Sequence, residues 1–229
     1  MSTPIPSLFA LPVVAGVASE AMWAAPVHPD EEPFVARAVT ARRREFAAGR
    51  SCARDLLAGL GLGGAIPVGP GGAPRWPSGA VGSISHCPGL CAAAVAPADA
   101  VRGVGLDVEM VRPLEPAMIR RICRVEELSA LVNGSRSIPE WASIIFSAKE
   151  AFYKCYYPLT GQFLEYGDVR IRLQPAWSRF DVELLSDSHP DVLGRRPLRG
   201  RFAVWDGFVA CAVTLPTTAP VRVHEPGPR

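Results

Sequence analysis

The nine residues FSAKEAFYK, Phe146 to Lys154, set Lys149 beside Glu150 and a second lysine, Lys154, one helical turn later, all inside an apolar segment. In GVGLDVEM, Val104, Leu106, Val108 and Met110 alternate with Gly105, Asp107 and Glu109. On a strand, that alternation points the two carboxylates to one face, about 7 Å apart. Adjacent like charges are unfavourable without a cation between them. Mg²⁺ binds through a few carboxylates and fills its other octahedral positions with water and phosphate oxygens, and Glu150 would supply a third carboxylate where helix meets strand. The plainer readings are an exposed i,i+4 pair for Glu150 and Lys154 and a solvated strand edge for Asp107 and Glu109. Phe146 and Tyr153 lie on the charged side of the helix, and a clustered pair of aromatic rings is unexpected on a face open to water.

Other chemistry-bearing residues give weaker signals. His86, in GSISHC, falls where a strand meets a turn. It makes no dyad with Ser85, because neighbours on a strand point to opposite faces, and the GxSxG elbow of hydrolases is missing. The spacing of His86, Cys87 and Cys91 fits no common zinc motif. GLGLGG follows a helix instead of joining a strand to a helix, so it reads as a helix cap and not as a dinucleotide loop.

Several elements must position these residues. PFVARAVTARRREFAAGRSCARDLLAGLGL has helical periodicity, a basic side and a glycine-rich stop. AIPVGPGGAPRWPSGA reads as a surface loop. VGSISHC, LCAAAVA and RGVGLDVEMV read as strands, followed by a helix around Met118 to Val132 and a loop, NGSRSIP. In the helix of the charged motif, Ser137 and Glu140 have capping-box spacing, and Pro158 is expected to end it near Tyr156. Trp141, Ile144, Ile145, Ala148, Phe152, Cys155 and Tyr156 form its apolar stripe, with Glu150 and Lys154 opposite and Lys149 on the flank. DVRIRL and FDVELL read as strands, RFAVWDGFVACAVTL as a hairpin turning at Asp206 and Gly207, and residues 216–229 as a disordered tail. Helix followed by strands thus occurs twice, which predicts an α+β fold of two halves, 1–103 and 104–215.

Composition bounds the partners. With 24 basic and 22 acidic side chains the formal net charge is +2, so neither nucleic acid nor a membrane surface is an expected partner. The apolar N-terminal stretch lacks the basic flank of a signal peptide, and no apolar run reaches the ~18 residues of a membrane span. The six cysteines lie in apolar segments without CxxC spacing, which predicts buried, reduced thiols and a cytoplasmic location.

GSISHC, GLDVE and FSAKEAFYK, in that order and spacing, resemble the motifs of 4′-phosphopantetheinyl transferases of the Sfp type. ARRREFAAGRSCARDLL, PRWPSG and YYPLTGQFLEYGDV further resemble the branch typified by enterobactin synthetase component D, and the likeness covers roughly residues 25 to 215. The resemblance implies two similar α/β halves related by a pseudo-twofold axis, with coenzyme A and Mg²⁺ in the cleft between them. It implies transfer of phosphopantetheine from coenzyme A to a serine of an acyl or peptidyl carrier protein, with 3′,5′-ADP as the other product, by a monomer. Asp107, Glu109 and Glu150 match the metal-binding acids, and Lys154 matches the lysine on the coenzyme's diphosphate. His86 matches a phosphate contact, and Arg43, Arg50 and Arg54 match basic residues near the 3′-phosphate. Lys149 and Arg75 are further candidate coenzyme contacts, although relatives often carry a basic residue before the WP motif where this chain has only Arg75. Glu150, directly or through a metal-bound water, is the candidate base. A coenzyme-binding module without catalysis and a metal-dependent hydrolase are the competing readings.

Overall fold

A computed structural model describes residues 3–132, 136–185, 192–193 and 198–217. The elements run β1 (Val14–Val17), α1 (Glu20–Trp23), α2 (Thr40–Gly59), β2 (Ala80–Cys87), β3 (Leu90–Pro97), β4 (Val101–Met110), α3 (Pro116–Ile122), α4 (Val125–Ser129), α5 (Ile138–Thr160), β5 (Val169–Gln174), β6 (Arg179–Leu184), β7 (Leu198–Trp205) and β8 (Phe208–Pro216). They form an α+β fold with two antiparallel sheets, ordered β1-β3-β2 and β4-β8-β7-β6-β5. The helix α2 packs on the smaller sheet through Cys52, Ala53 and Leu57, against Ala93 and Val95. The helix α5 packs on the larger through the apolar stripe, all of it buried. Between the two sheets lies a third apolar layer, with Ala92, Ala94 and Ala96 of β3 facing Val104, Leu106 and Val108 of β4 and Ala210 and Ala212 of β8. The run of alanines explains how β3 can be covered on both faces at once. The division expected at residue 103 falls inside β4.

Close approach of α5 to β4 decides the geometry of the cleft. A Cβ on Gly105 would sit 1.9 Å from the Ala151 carbonyl oxygen, so only glycine lets helix and strand touch at this point. The Ser137 hydroxyl accepts from Glu140 N–H, while the Glu140 carboxylate accepts from Ser137 N–H at 2.8 Å, which closes the expected capping box. Pro158 does not end α5. The helix continues to Thr160 and stops at Gly161 in the left-handed conformation, φ 67°, whose N–H donates to the Tyr157 carbonyl at 2.8 Å. A proline within the last turn removes one backbone donor, and the close of the turn at Gly161 compensates.

One other expectation needs correction. The single helix around Met118 to Val132 is two, because Cys123 and Arg124 are extended (ψ 138° and 154°) and α4 starts anew with the Glu127 carboxylate accepting from Arg124 N–H at 2.6 Å. The N-terminal stretch contributes β1, an edge strand paired with β3. The hairpin turns as expected at Asp206 and Gly207, φ 44° and 79°. The stretch 218–229, most of the expected tail, and residues 133–135 of the NGSRSIP loop lie outside the described residues. All six cysteines are free and buried, and burial pushes Cys52, Cys87, Cys91, Cys123 and Cys155 up to about 12, so they stay as thiols. Among the described residues no helix is long and apolar enough to cross a membrane.

Candidate active site

The strands β2 and β4, which belong to different sheets, run side by side, joined by serine hydroxyls. Ser83 Oγ donates to the Leu106 carbonyl (3.2 Å) and accepts from Leu106 N–H (3.0 Å). Ser85 Oγ accepts from Val108 N–H (3.2 Å) and donates to Asp107 Oδ1 (3.0 Å). Opposite them α5 delivers Lys154, whose ammonium donates to Asp107 Oδ1 at 2.7 Å and to Ser85 Oγ at 2.8 Å. A cleft of about 340 Å³ opens here, lined by Arg42, Arg50, His86, Asp107, Glu109, Glu150 and Lys154, with Phe146, Tyr153 and Tyr157 among its walls. Strand alternation thus sends both acids of DVE to the same side as Glu150 of α5, and the aromatics of the charged face are covered by their own chain: Phe146 by Tyr166 (6.0 Å between centroids), Tyr153 by Tyr157 and Phe163.

The electrostatics of the acids are uneven. Burial, and then the charge of Asp107, pushes Glu109 up to about 7. Burial also raises Glu150, against a hydrogen bond from the Tyr166 hydroxyl at 2.9 Å. Asp107 is 2% exposed, and its Oδ2 is buried without a partner. It therefore occupies an interior position, unlike a side chain that merely borders a cleft. Among the described residues no three His, Cys, Asp or Glu side chains gather closely enough to cage an ion on their own. Even so, the orphaned Asp107 oxygen and the carboxyls of Glu109 and Glu150 line one cleft as hard oxygen donors, and a hard cation completed by water and phosphate oxygens suits such a set.

The basic residues divide. Arg50 is 7% exposed, with its Nε donating to the Ile66 carbonyl at 3.2 Å and its guanidinium 4.0 Å from the Phe46 ring centroid. Burial lowers it to about 10, still charged at neutral pH. Arg43 and Arg54, expected beside it, turn instead to Glu32 (2.8 Å) and to the fully buried Glu31 (2.6 Å). Arg75 is exposed and not among the residues lining the cleft. Lys149 is also a correction. Its ammonium is 3.0 Å from Glu127 Oε2 and donates to the carbonyls of Ile122 (2.8 Å) and Tyr166 (2.9 Å), so all three of its donors are spent inside the protein. His86 meets Arg42 through Nε2 and lies 3.6 Å from Glu45, and burial lowers its pKa.

Sequence reasoning missed Arg42, Ser85 and Tyr166. Arg42 stands in the basic run that drew attention to its neighbours, but helical phase alone cannot tell which arginine finds a carboxylate. Ser85 carried a signal: a serine two residues from Ser83 on a strand repeats with the period of one face. Tyr166 reaches Glu150 only through tertiary folding of the segment after α5.

Two family models match, the 4′-phosphopantetheinyl transferase N-terminal domain over residues 30–96 and the 4′-phosphopantetheinyl transferase superfamily over residues 103–199. The chain is 38% identical over 196 residues to 4′-phosphopantetheinyl transferase Svp of Streptomyces mobaraensis, covering 83% of this chain and 79% of that protein. The chain belongs to the 4′-phosphopantetheinyl transferases. This transferase is also 38% identical over 195 residues to PptT of Mycobacterium tuberculosis, covering 82% and 85% of the two chains. With enterobactin synthase component D of Salmonella typhi it shares 32% identity over 117 residues, 50% of this transferase and 48% of that protein, in keeping with the motifs of that branch.

Proposed function

We propose that the protein transfers 4′-phosphopantetheine from coenzyme A to a serine hydroxyl of an acyl or peptidyl carrier protein, releasing 3′,5′-ADP, with Mg²⁺ in the cleft. The observation that carries this reading is the meeting of Asp107, Glu109, Glu150 and Lys154 in one cleft where β4 and α5 meet β2. The serine hydroxyls at this point, Ser83 and Ser85, are engaged in bridging β2 to β4, which fits a reaction whose nucleophile belongs to the partner. Asp107, Glu109 and Glu150 would hold the Mg²⁺, which when bound supplies positive charge to the diphosphate. Arg50, which lines the cleft from α2, suits the 3′-phosphate. His86 and Arg42 stand beside it on the same wall.

Phosphoryl transfer needs alignment and charge neutralisation more than covalent help. Lys154 can turn its ammonium from Asp107 to the diphosphate oxygens as charge builds on the leaving group. Glu150, raised by burial and steadied at one oxygen by Tyr166, has the other available to take the proton of the incoming serine hydroxyl. The serine oxygen then attacks the β-phosphorus of the coenzyme, and the bond to the 3′,5′-ADP oxygen breaks. The test is direct: purified protein, Mg²⁺, coenzyme A and an apo carrier protein, followed by intact mass. A gain of one phosphopantetheine is expected. Free 3′,5′-ADP with an unmodified carrier would mean hydrolysis, and no reaction with retained coenzyme binding would mean a binding module.

A further inference from the structure

Lys149 and Glu150 are neighbours on α5, yet they hold the two ends of one residue. The Lys149 ammonium takes the Tyr166 backbone carbonyl at 2.9 Å, and Glu150 Oε1 accepts from the Tyr166 hydroxyl at 2.9 Å. The Phe146 ring, on the preceding turn, lies against the Tyr166 ring. Lys149 is itself fixed. Its partner Glu127 is fully buried and accepts from the N–H groups of Arg124 (2.6 Å) and Ile171 (2.6 Å), and the Ile122 carbonyl takes a further donor of the lysine. The end of α3, the start of α4, the turn Tyr166–Asp168 and the start of β5 therefore converge on one buried ion pair. A fully satisfied pair of this kind is costly to desolvate and adds little net stability over an apolar replacement. It does, however, fix the position of whatever is attached to it.

The geometry points to Lys149 as a positioning residue for the transfer reaction: through the Tyr166 carbonyl it sets the Tyr166 hydroxyl on Glu150, which fixes one carboxylate oxygen and directs the other into the cleft. The inference rests on Glu150 acting as proposed above. Lys149 itself touches neither coenzyme nor carrier. It acts at one remove, in the way that supporting shells hold a reacting group within about half an ångström of its working position.

The experiment compares Lys149→Met, Tyr166→Phe and the combination for kcat, for KM toward coenzyme A and for thermal midpoint, with a crystal structure of the Lys149 variant. Each single variant should lower kcat about ten- to a hundredfold, the cost of a carboxylate held loosely, with KM for coenzyme A little changed. The combination should lose no more than the worse single change, since both act through one contact. In the crystal structure the Tyr166 hydroxyl should have left Glu150. Lys149→Arg should recover part of the loss, and where Lys149→Met does not fold, Lys149→Gln, which keeps two donors for the carbonyls, takes its place. A lower midpoint with unchanged kcat, losses that multiply, or an intact Tyr166 to Glu150 bond in the variant would each overturn the assignment. Absence of transfer by the wild type would instead overturn the functional reading, and the crystal structure would still decide whether Lys149 places Tyr166.

Discussion

Asp107 concentrates the conflict of the site in one side chain: it is buried, bonded at one oxygen to Ser85 and Lys154, and bare at the other. Asp107→Asn, which keeps volume and removes charge, should reduce carrier modification about a hundredfold or more, the scale of losing a principal electrostatic contact in a water-poor site. Its melting temperature should move little. Asp107→Ala should be equally inactive and measurably less stable, because it also strips partners from Ser85 and Lys154 inside the fold. Arg50 allows a second test. If its guanidinium meets the 3′-phosphate, Arg50→Ala should weaken coenzyme A more than 3′-dephospho-coenzyme A by about 1.5 to 3 kcal/mol, roughly ten- to a hundredfold, and calorimetric titration of both ligands against both proteins closes the cycle. Equal weakening of the two would remove Arg50 from that contact. That these acids share one cleft was legible in the sequence because strand alternation and helical phase fix where short side chains point, and Lys154, one turn after Glu150 on the same helix face, falls within reach of them. The placement of Arg43 and Arg54 was not legible, since a guanidinium on a long flexible stem goes to its carboxylate, and Glu32 and Glu31 lie outside their helix.

The contact of α5 with β4 is the element on which the cleft depends. Gly105→Ala would drive a methyl group into the Ala151 backbone, which cannot move aside as a flexible side chain would. We expect it to cost about 1 to 3 kcal/mol or more by urea unfolding and to lower transfer further than that loss of stability explains, because α5 would carry Glu150 and Lys154 away from Asp107. Ser137→Ala, at the far end of the same helix, should cost about 1 kcal/mol through the cap and leave the rate per folded molecule unchanged. Comparing the two separates damage to the helix from damage to its seating. The long helices and the central strands were readable because each has a buried face with its own period. The break between α3 and α4 was not, because it serves Glu127, whose partners lie on α5 and β5. The reach of α5 past Pro158 was hidden for a related reason: a proline in a last turn loses only one bond, and Gly161 three residues on supplies the stop.

At the scale of the whole molecule, the fold must hold several acids together, and that has a dependence on pH. Glu109 is raised from the ordinary carboxylate range to about 7, chiefly by burial and then by Asp107. A carboxyl raised on folding favours the native state while protonated, so its stabilisation is complete below the ordinary range and is lost as pH rises through about 7. In the metal-free protein the advantage in melting temperature of Glu109→Gln over the wild type should therefore grow as pH rises from the ordinary carboxylate range to about 7 and then level off. Added Mg²⁺ should restore the midpoint most at the alkaline end, where the carboxylates are ionised. The serines between β2 and β4 carry a different consequence. Leu106 and Val108 send their amide hydrogens across the join to hydroxyls, not to a neighbouring strand's carbonyls. Parting β2 from β4 would thus break side-chain bonds while the β4–β8 ladder stayed closed, and those two amides should trade their protons for deuterium well before the rest of β4. Coenzyme A, seated across the same seam, should slow both.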